Sequence, residues 1–233
     1  MFILTKDTIR EFVDGERTLI SDNNIKFFDL LKSYIPVNIH RYESGTKCFD
    51  WEIPKKWIVN KATLKDSNGN IVINSDDDIL HLINYSNSYK GKISKNELIN
   101  HLHYDENLPD AIPYRTTYYS NNWGFCLTYN QFKNLNDDMY YVDIDTEFED
   151  GELLIGEAVI KGRTDREVIL SSYYCHPNQA NDGISGVLLL SELYNEMRNM
   201  DLKYTYRFLF WPETIGALTA LSQGLIRPKK VEY

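Results

Sequence analysis

A change of periodicity between residues 167 and 216 constrains the fold of this chain more than any other feature. Residues 168–175 form a short, mostly apolar segment that is typical of a strand buried on both faces. A polar segment containing Pro and Gly follows at 176–183, and from Ile184 onward apolar residues recur at helical spacing. Residues 204–211 then return to the two-residue period of a strand. The pattern predicts a strand–helix–strand unit of a parallel sheet.

Three polar side chains lie where the predicted strands end. His176 directly follows the first strand, Asp182 comes just before the helix, and Glu213 follows the second strand. In open parallel sheets, ligands bind at the carboxyl ends of the strands. Imidazole and carboxylate are common zinc ligands, and a carboxylate beside zinc can also serve as a general base. We therefore expect a zinc site formed by these three residues, with Glu213 as ligand or catalytic base.

Each of these residues also has an ordinary structural alternative. Asp182 could be an N-cap that accepts hydrogen bonds from the first amides of the helix. His176 could be a loop histidine, and Glu213 could be a surface carboxylate. Cys175, which precedes His176, raises the weaker alternative of a cysteine hydrolase. Adjacent residues of a strand point to opposite faces, so these two side chains are poorly placed to act as nucleophile and base.

The rest of the chain changes in character along its length. Residues 7–34 predict two helices, whereas the segments that follow are short, β-like and separated by turns. A hairpin is expected where 59–64 and 71–73 flank a Gly-containing turn. One short helix is expected near 95–101, with Ser94 as its N-cap.

The strands at 140–144 and 153–161 are joined by an Asp-Gly pair that favours a tight turn. Combining these elements, we predict an α/β domain made of residues 1–40 and 138–233. A small β-rich domain, residues 41–137, is predicted to be inserted into it.

Composition excludes several classes of function. The net charge is −9 and the chain has no basic run, which argues against nucleic acid as a partner. Three scattered cysteines do not form a disulfide framework and favour a reducing compartment. The start of the chain does not resemble a secretory signal, and no apolar run is long enough to span a membrane. We expect a soluble, cytoplasmic protein.

The segment 176–186, followed by a leucine-rich helix, resembles the metal-binding signature of the co-catalytic zinc aminopeptidases. In those enzymes a His and a bridging Asp precede a helix that starts with Asp-Asn-x-Ser-Gly. The resemblance implies that His176 is the first zinc ligand and that Asp182 bridges two zinc ions. Gly183 stands where many members of the family have Asn.

Over nearly its whole length the chain is similar to an aminopeptidase-like family linked to polysaccharide biosynthesis. The shared motifs are Ser44-Gly45-Thr46, Phe49-Asp50-Trp51-Glu52-Ile53-Pro54, Ile112-Pro113-Tyr114, Tyr118-Tyr119, Trp123-Gly124-Phe125-Cys126 and Pro212-Glu213-Thr214-Ile215-Gly216. The resemblance implies an α/β fold with a zinc-aminopeptidase-like mixed sheet, flanking helices and a β-rich inserted domain.

Two departures from the family pattern bear on function. The peptidases carry two adjacent acidic residues at the end of the later strand, whereas here Pro212 precedes a single Glu213. Family members also continue well beyond the equivalent of Tyr233, and that further part supplies the remaining metal ligands. The chain is therefore expected to correspond to a truncated, N-terminal part of the family.

The resemblance implies a zinc-dependent hydrolase of peptide or amide bonds that uses one or two zinc ions. Its substrate would be a small peptide or an aminoacyl amide, and neither nucleic acid nor a membrane is an expected partner. A second copy of the chain is a candidate partner, because an open sheet edge favours association. The alternative is a non-catalytic binding or accessory protein of polysaccharide biosynthesis that keeps the peptidase fold.

Overall fold

The computed structural model describes residues 5–13, 15–118 and 120–232, so Tyr119 of the family motif lies outside the described residues. Contacts between residues divide the chain into two compact units. The first unit comprises Met1–Lys56 and Asp150–Tyr233, and the second comprises Trp57–Glu149. Each unit is described separately below.

The helices and strands are numbered in chain order. The α-helices of the described residues are α1 (Lys6–Val13), α2 (Asp22–Lys32), α3 (Lys95–Leu98), α4 (Tyr129–Lys133), α5 (Ser185–Met197) and α6 (Ile215–Ser222). The strands are β1 (Asn38–Glu43), β2 (Lys47–Cys48), β3 (Trp51–Glu52), β4 (Lys56–Lys65), β5 (Ile71–Asn74), β6 (Tyr89–Ser94), β7 (Leu102–His103), β8 (Phe125–Cys126), β9 (Met139–Glu149), β10 (Glu152–Ile160), β11 (Glu167–Tyr173) and β12 (Thr205–Trp211).

A four-stranded sheet in the order β1-β10-β12-β11 forms the centre of the first unit. β1 pairs antiparallel with β10, and β10 pairs antiparallel with β12, whereas β11 and β12 run parallel, from Glu167 opposite Thr205 to Tyr173 opposite Trp211. α5 connects these two parallel strands. The predicted strand–helix–strand unit and the mixed α/β fold class are therefore confirmed.

The core of the first unit is formed by apolar side chains of the sheet and of α1, α2 and α5. Phe208 and Phe210 of β12 are fully buried, as are Val187 and Leu188 on the inner face of α5. Phe28 of α2 packs into the same cluster. Burying a side chain of this size contributes about 1.5–3 kcal/mol, so these contacts hold α5 firmly against the two parallel strands.

A second four-stranded sheet, in the order β5-β4-β9-β6, forms the second unit. The predicted hairpin is present, since β4 and β5 pair antiparallel with Leu64 opposite Ile73. The predicted N-cap is also present: the Ser94 hydroxyl accepts a hydrogen bond from the backbone N–H of Glu97 at 3.3 Å. α4 was not predicted; it begins with a capping box in which Thr128 and Gln131 exchange side-chain and backbone hydrogen bonds.

The second unit overlaps most of the inserted domain expected at 41–137. The second unit runs from Trp57 to Glu149, so residues 41–56 lie in the first unit and 138–149 in the second. The tight turn expected at Asp150-Gly151 does not close a hairpin, because β9 and β10 belong to different sheets. The segment between them is instead the point where the chain passes from one unit to the other.

Among the residues that the structure describes, no helix is both long enough and apolar enough to span a membrane.

Candidate functional site

The parallel pairing of β11 and β12 brings the ends of both strands to the same edge of the sheet. Tyr173 and Trp211, which end the two strands, are direct neighbours in the ladder. His176 lies three residues beyond the first strand and Glu213 two residues beyond the second. Asp182 reaches the same edge from the turn that precedes α5.

The structure brings the three predicted site residues together around one imidazole ring. His176 Nδ1 lies 3.1 Å from Asp182 Oδ2, and His176 Nε2 lies 3.0 Å from Glu213 Oε2. The histidine side chain is only 6% exposed, whereas the two carboxylates are 47% and 51% exposed. The ring is thus buried between two acids that solvent can reach.

The turn that carries Asp182 has an irregular backbone. Asp182 has φ −93° and ψ 83°, and Gly183 has φ 117°, a conformation that side chains with a Cβ rarely adopt. The N-cap position of α5 is Ile184, and no side-chain capping bond is made there. The Asp182 carboxylate contacts Tyr173 and His176 instead. The alternative that Asp182 is a helix N-cap is therefore wrong.

Glu213 sits at a sharp bend between β12 and α6. The next residue, Thr214, has φ 55° and ψ −57°, which is uncommon for a β-branched residue. The backbone N–H of Glu213 donates to the sulfur of Cys175 at 3.3 Å. This contact links the bend after β12 to the segment that leads from β11 to His176. Strained backbone of this kind is concentrated at functional sites.

Tyr173 was not recognised from the sequence as part of the site. Its hydroxyl donates a hydrogen bond to Asp182 Oδ1, and this bond raises the pKa of Tyr173 to about 12. The hydroxyl therefore remains a donor at neutral pH. The sequence signal that could have pointed to Tyr173 is its place at the end of a strand, shared with His176.

Arg17 is a second residue that the sequence did not reveal. Its side chain is 2% exposed and donates to three backbone carbonyls: Tyr174 at 3.0 Å, His176 at 3.2 Å and Val13 at 3.1 Å. Arg17 thereby ties the N-terminal segment to the backbone of the site. No pattern around Arg17 distinguishes it from a surface arginine, so only the folded chain identifies it.

The environment of Cys175 opposes the cysteine-hydrolase alternative. The residue is fully buried, and burial raises the pKa of its thiol to about 12. The thiolate is the nucleophilic form of cysteine, and this site disfavours it. Cys126 is also buried, and its thiol pKa is likewise raised to about 12 by burial. Both cysteines fit packing roles better than catalysis.

The site residues provide donor types that zinc accepts, but they do not surround one point. Within residues 5–13, 15–118 and 120–232, no group of three or more His, Cys, Asp or Glu side chains is arranged to hold a metal ion. The reason at this site is that Asp182 and Glu213 contact different nitrogens of the same ring.

Each carboxylate, taken with His176, nevertheless has a spacing that suits a shared ion. Two ligands of a tetrahedral zinc, each about 2.0–2.2 Å from the ion, lie roughly 3.4 Å apart. The separations of 3.0 Å and 3.1 Å are close to this, and both carboxylates are half exposed. The residues therefore fit zinc in donor type, and each carboxylate fits it in spacing as a pair with His176.

Comparison with known proteins gives a family match and one curated relative. The family described as a domain of unknown function (DUF4910) matches residues 6–233. A protein of Clostridium acetobutylicum, named as a polysaccharide biosynthesis protein with an aminopeptidase-like domain, is 41% identical over 216 residues. The match covers 93% of this chain and 50% of the relative, so the chain spans about half the length of that protein.

Solved structures with the same fold include peptidases. A crystal structure of a Clostridium acetobutylicum protein described as a peptidase has a TM-score of 0.86 and 40% identity, and the match covers 96% of this chain and 53% of that one. A zinc aminopeptidase from Bacillus subtilis has a TM-score of 0.61 at 11% identity, covering 97% of this chain and 66% of that one. The second likeness is one of fold.

Proposed function

This chain belongs to the family described as a domain of unknown function (DUF4910), and from its fold and site we propose that it is part of a zinc-dependent, aminopeptidase-like hydrolase of peptide or amide bonds. The observation that carries the proposal is the convergence of His176, Asp182 and Glu213 at the ends of two parallel strands. The likeness of the fold to that of a zinc aminopeptidase supports it.

In this proposal His176 and Asp182 hold the metal, and Glu213 is either a further ligand or the general base. Zinc, when bound, would lower the pKa of a coordinated water so that it can attack an amide carbonyl at neutral pH. Glu213 suits the base role because its carboxylate is half exposed and can accept a proton from a solvent-derived water. His176 is buried, and each of its ring nitrogens faces one of the two carboxylates.

Small peptides and aminoacyl amides are the proposed substrates. The chain spans about half the length of the relatives it matches, and the proposed site is limited to its own residues His176, Asp182 and Glu213.

The second candidate is a non-catalytic binding or accessory protein in polysaccharide biosynthesis. The name of the Clostridium acetobutylicum relative favours it, because that name combines polysaccharide biosynthesis with an aminopeptidase-like domain. The absence of a three-donor metal group among the described residues also favours it. The two candidates differ in whether the protein turns over an amide substrate.

Metal content tests the zinc site directly. We expect purified wild-type protein to bind zinc, and His176→Ala and Asp182→Ala to lose it, because each change removes a donor atom. His103→Ala is the matched control, since it removes a histidine of the second unit and should leave zinc content unchanged. Equal zinc in all four proteins, or none in the wild type, would contradict the proposal.

Turnover of aminoacyl amides separates the two candidate functions. We expect zinc-loaded protein to show chelator-sensitive hydrolysis, and Glu213→Gln to lower it by about 10²–10⁴-fold if Glu213 is the general base. Glu196→Gln, at an exposed position of α5, is the control and should match the wild type. Zinc binding without any turnover would favour the binding protein.

A further inference from the structure

Both oxygens of the Asp182 carboxylate have a defined partner. Oδ1 accepts a hydrogen bond from the hydroxyl of Tyr173, and Oδ2 lies 3.1 Å from His176 Nδ1. The carboxylate itself is half exposed and sits on an irregular turn. Tyr173 is anchored, because it is the last residue of a strand that is hydrogen-bonded to β12.

We propose that Tyr173 is a positioning residue for this site, whose hydroxyl sets the orientation of Asp182 and, through it, of the His176 ring. The proposal deepens the proposed function, on which its consequence for zinc binding rests. The part concerning the orientation of His176 rests only on the contacts among Tyr173, Asp182 and His176.

The surrounding residues bring the Tyr173 side chain and the turn close together. A Cβ added at Gly183 would lie 3.1 Å from the carbonyl oxygen of Tyr173 and 3.5 Å from its ring. The missing side chain therefore lets the turn pack against the tyrosine. The Tyr173 ring also lies 5.1 Å from the His176 ring, tilted by 55°. Phenylalanine at this position would keep these ring contacts and lose only the hydroxyl.

The expected loss of zinc affinity can be estimated from other residues that orient a metal ligand. A side chain that orients a metal ligand without touching the metal typically changes metal affinity by about 10–100-fold. We therefore expect Tyr173→Phe to weaken zinc binding by about 10–100-fold. Circular dichroism and thermal unfolding should remain those of the wild type, because the strand and the ring packing are kept.

The zinc experiment measures Kd by competition with a chromophoric chelator. It compares wild type, Tyr173→Phe, Asp182→Asn and the double variant. Tyr206→Phe is the matched control, because it removes a tyrosine hydroxyl at the opposite end of the same β11–β12 ladder, next to Val168. The control should bind zinc like the wild type. If Tyr173 acts through Asp182, the double variant should bind zinc no more weakly than Asp182→Asn alone.

A metal-free readout keeps the proposal testable if zinc does not bind. Nitrogen-15 NMR of the histidine rings, with His176 assigned from the spectrum of His176→Ala, reports the environment of its Nδ1 atom. We expect Tyr173→Phe and Asp182→Asn to shift the His176 signal, and Tyr206→Phe to leave it unchanged.

The possible results separate the two proposals. A wild-type protein that binds no zinc, yet shows the expected shift of the His176 signal, would refute the proposed function and support the role of Tyr173. An unchanged His176 signal or wild-type zinc affinity in Tyr173→Phe would overturn the positioning role. Losses of zinc affinity that add in the double variant would overturn it too, because the tyrosine would then act independently of Asp182.

Discussion

His176 is held by groups that lie far apart in the sequence. Its ring contacts Asp182 and Glu213, and its carbonyl accepts a hydrogen bond from Arg17, 159 positions earlier in the chain. Arg17 is buried, so its hydrogen bonds to the carbonyls of Tyr174 and His176 are not exposed to competing water. Buried hydrogen bonds to a charged donor are among the stronger ones in proteins.

At the residue scale we predict that Arg17→Ala destabilises the protein. The change leaves buried carbonyls without their donor and removes packing, so the free energy of unfolding should fall by about 2–4 kcal/mol. Urea unfolding followed by circular dichroism measures this. Arg10→Ala, which removes an exposed arginine of α1, is the control and should cause no measurable change. If the free energy of unfolding changes as little in Arg17→Ala as in the control, the hydrogen bonds to the carbonyls contribute little to stability.

At the scale of elements, the distance between β11 and α5 depends on Gly186. A Cβ at Gly186 would clash with the hydroxyl oxygen of Ser172. That hydroxyl donates to the carbonyl of Gly183 at 3.3 Å, within the turn that carries Asp182. The helix start, the strand and the site turn are therefore coupled through one close contact.

We predict that Gly186→Ala lowers the free energy of unfolding by about 1–3 kcal/mol, because it overpacks the contact between α5 and β11. It should also weaken zinc binding, since the turn bearing Asp182 must shift. Thermal unfolding and the zinc competition assay measure the two effects. Adding Ser172→Ala removes the clashing oxygen, so the double variant should be more stable than Gly186→Ala. If the double variant is no more stable than Gly186→Ala, the destabilisation arises within α5 and not from the contact with Ser172.

At the scale of the whole molecule, the chain consists of two units with separate sheets. The first unit contains the site residues and is made of two distant stretches of sequence. Within it, the points where the chain leaves and returns are close together: Lys55 Nζ lies 3.6 Å from Asp150 Oδ1, and a Cβ at Gly151 would lie 3.0 Å from the Cβ of Lys56.

We predict that replacing Trp57–Glu149 with a short Gly-Ser linker leaves the first unit folded. Its sheet and core are formed by residues outside the replaced segment, and a short linker can span the small gap. A cooperative thermal transition, together with the His176 nitrogen-15 signal of the full chain, is the expected result. A shortened protein without a cooperative transition would contradict the independence of the first unit.

The sequence by itself determined the strand–helix–strand unit, because burial on both faces, helical spacing and a polar turn leave different patterns in a short stretch. It also identified His176, Asp182 and Glu213 as neighbours, since the ends of parallel strands share one edge of a sheet. Local signals were sufficient to predict the β4–β5 hairpin and the Ser94 cap, because each of these features depends on residues only a few positions apart.

Contacts between distant residues were decided only by the tertiary structure. The Asp-Gly pair at 150–151 carries the signal of a hairpin turn, but β9 and β10 pair with strands of different sheets, so the local signal was overridden. Arg17 and Tyr173 are ordinary residues in the sequence, and they join the site because folding brings a carbonyl or a carboxylate within reach of their donors. Which nitrogen of His176 faces which acid likewise depends on the packing of three separate segments.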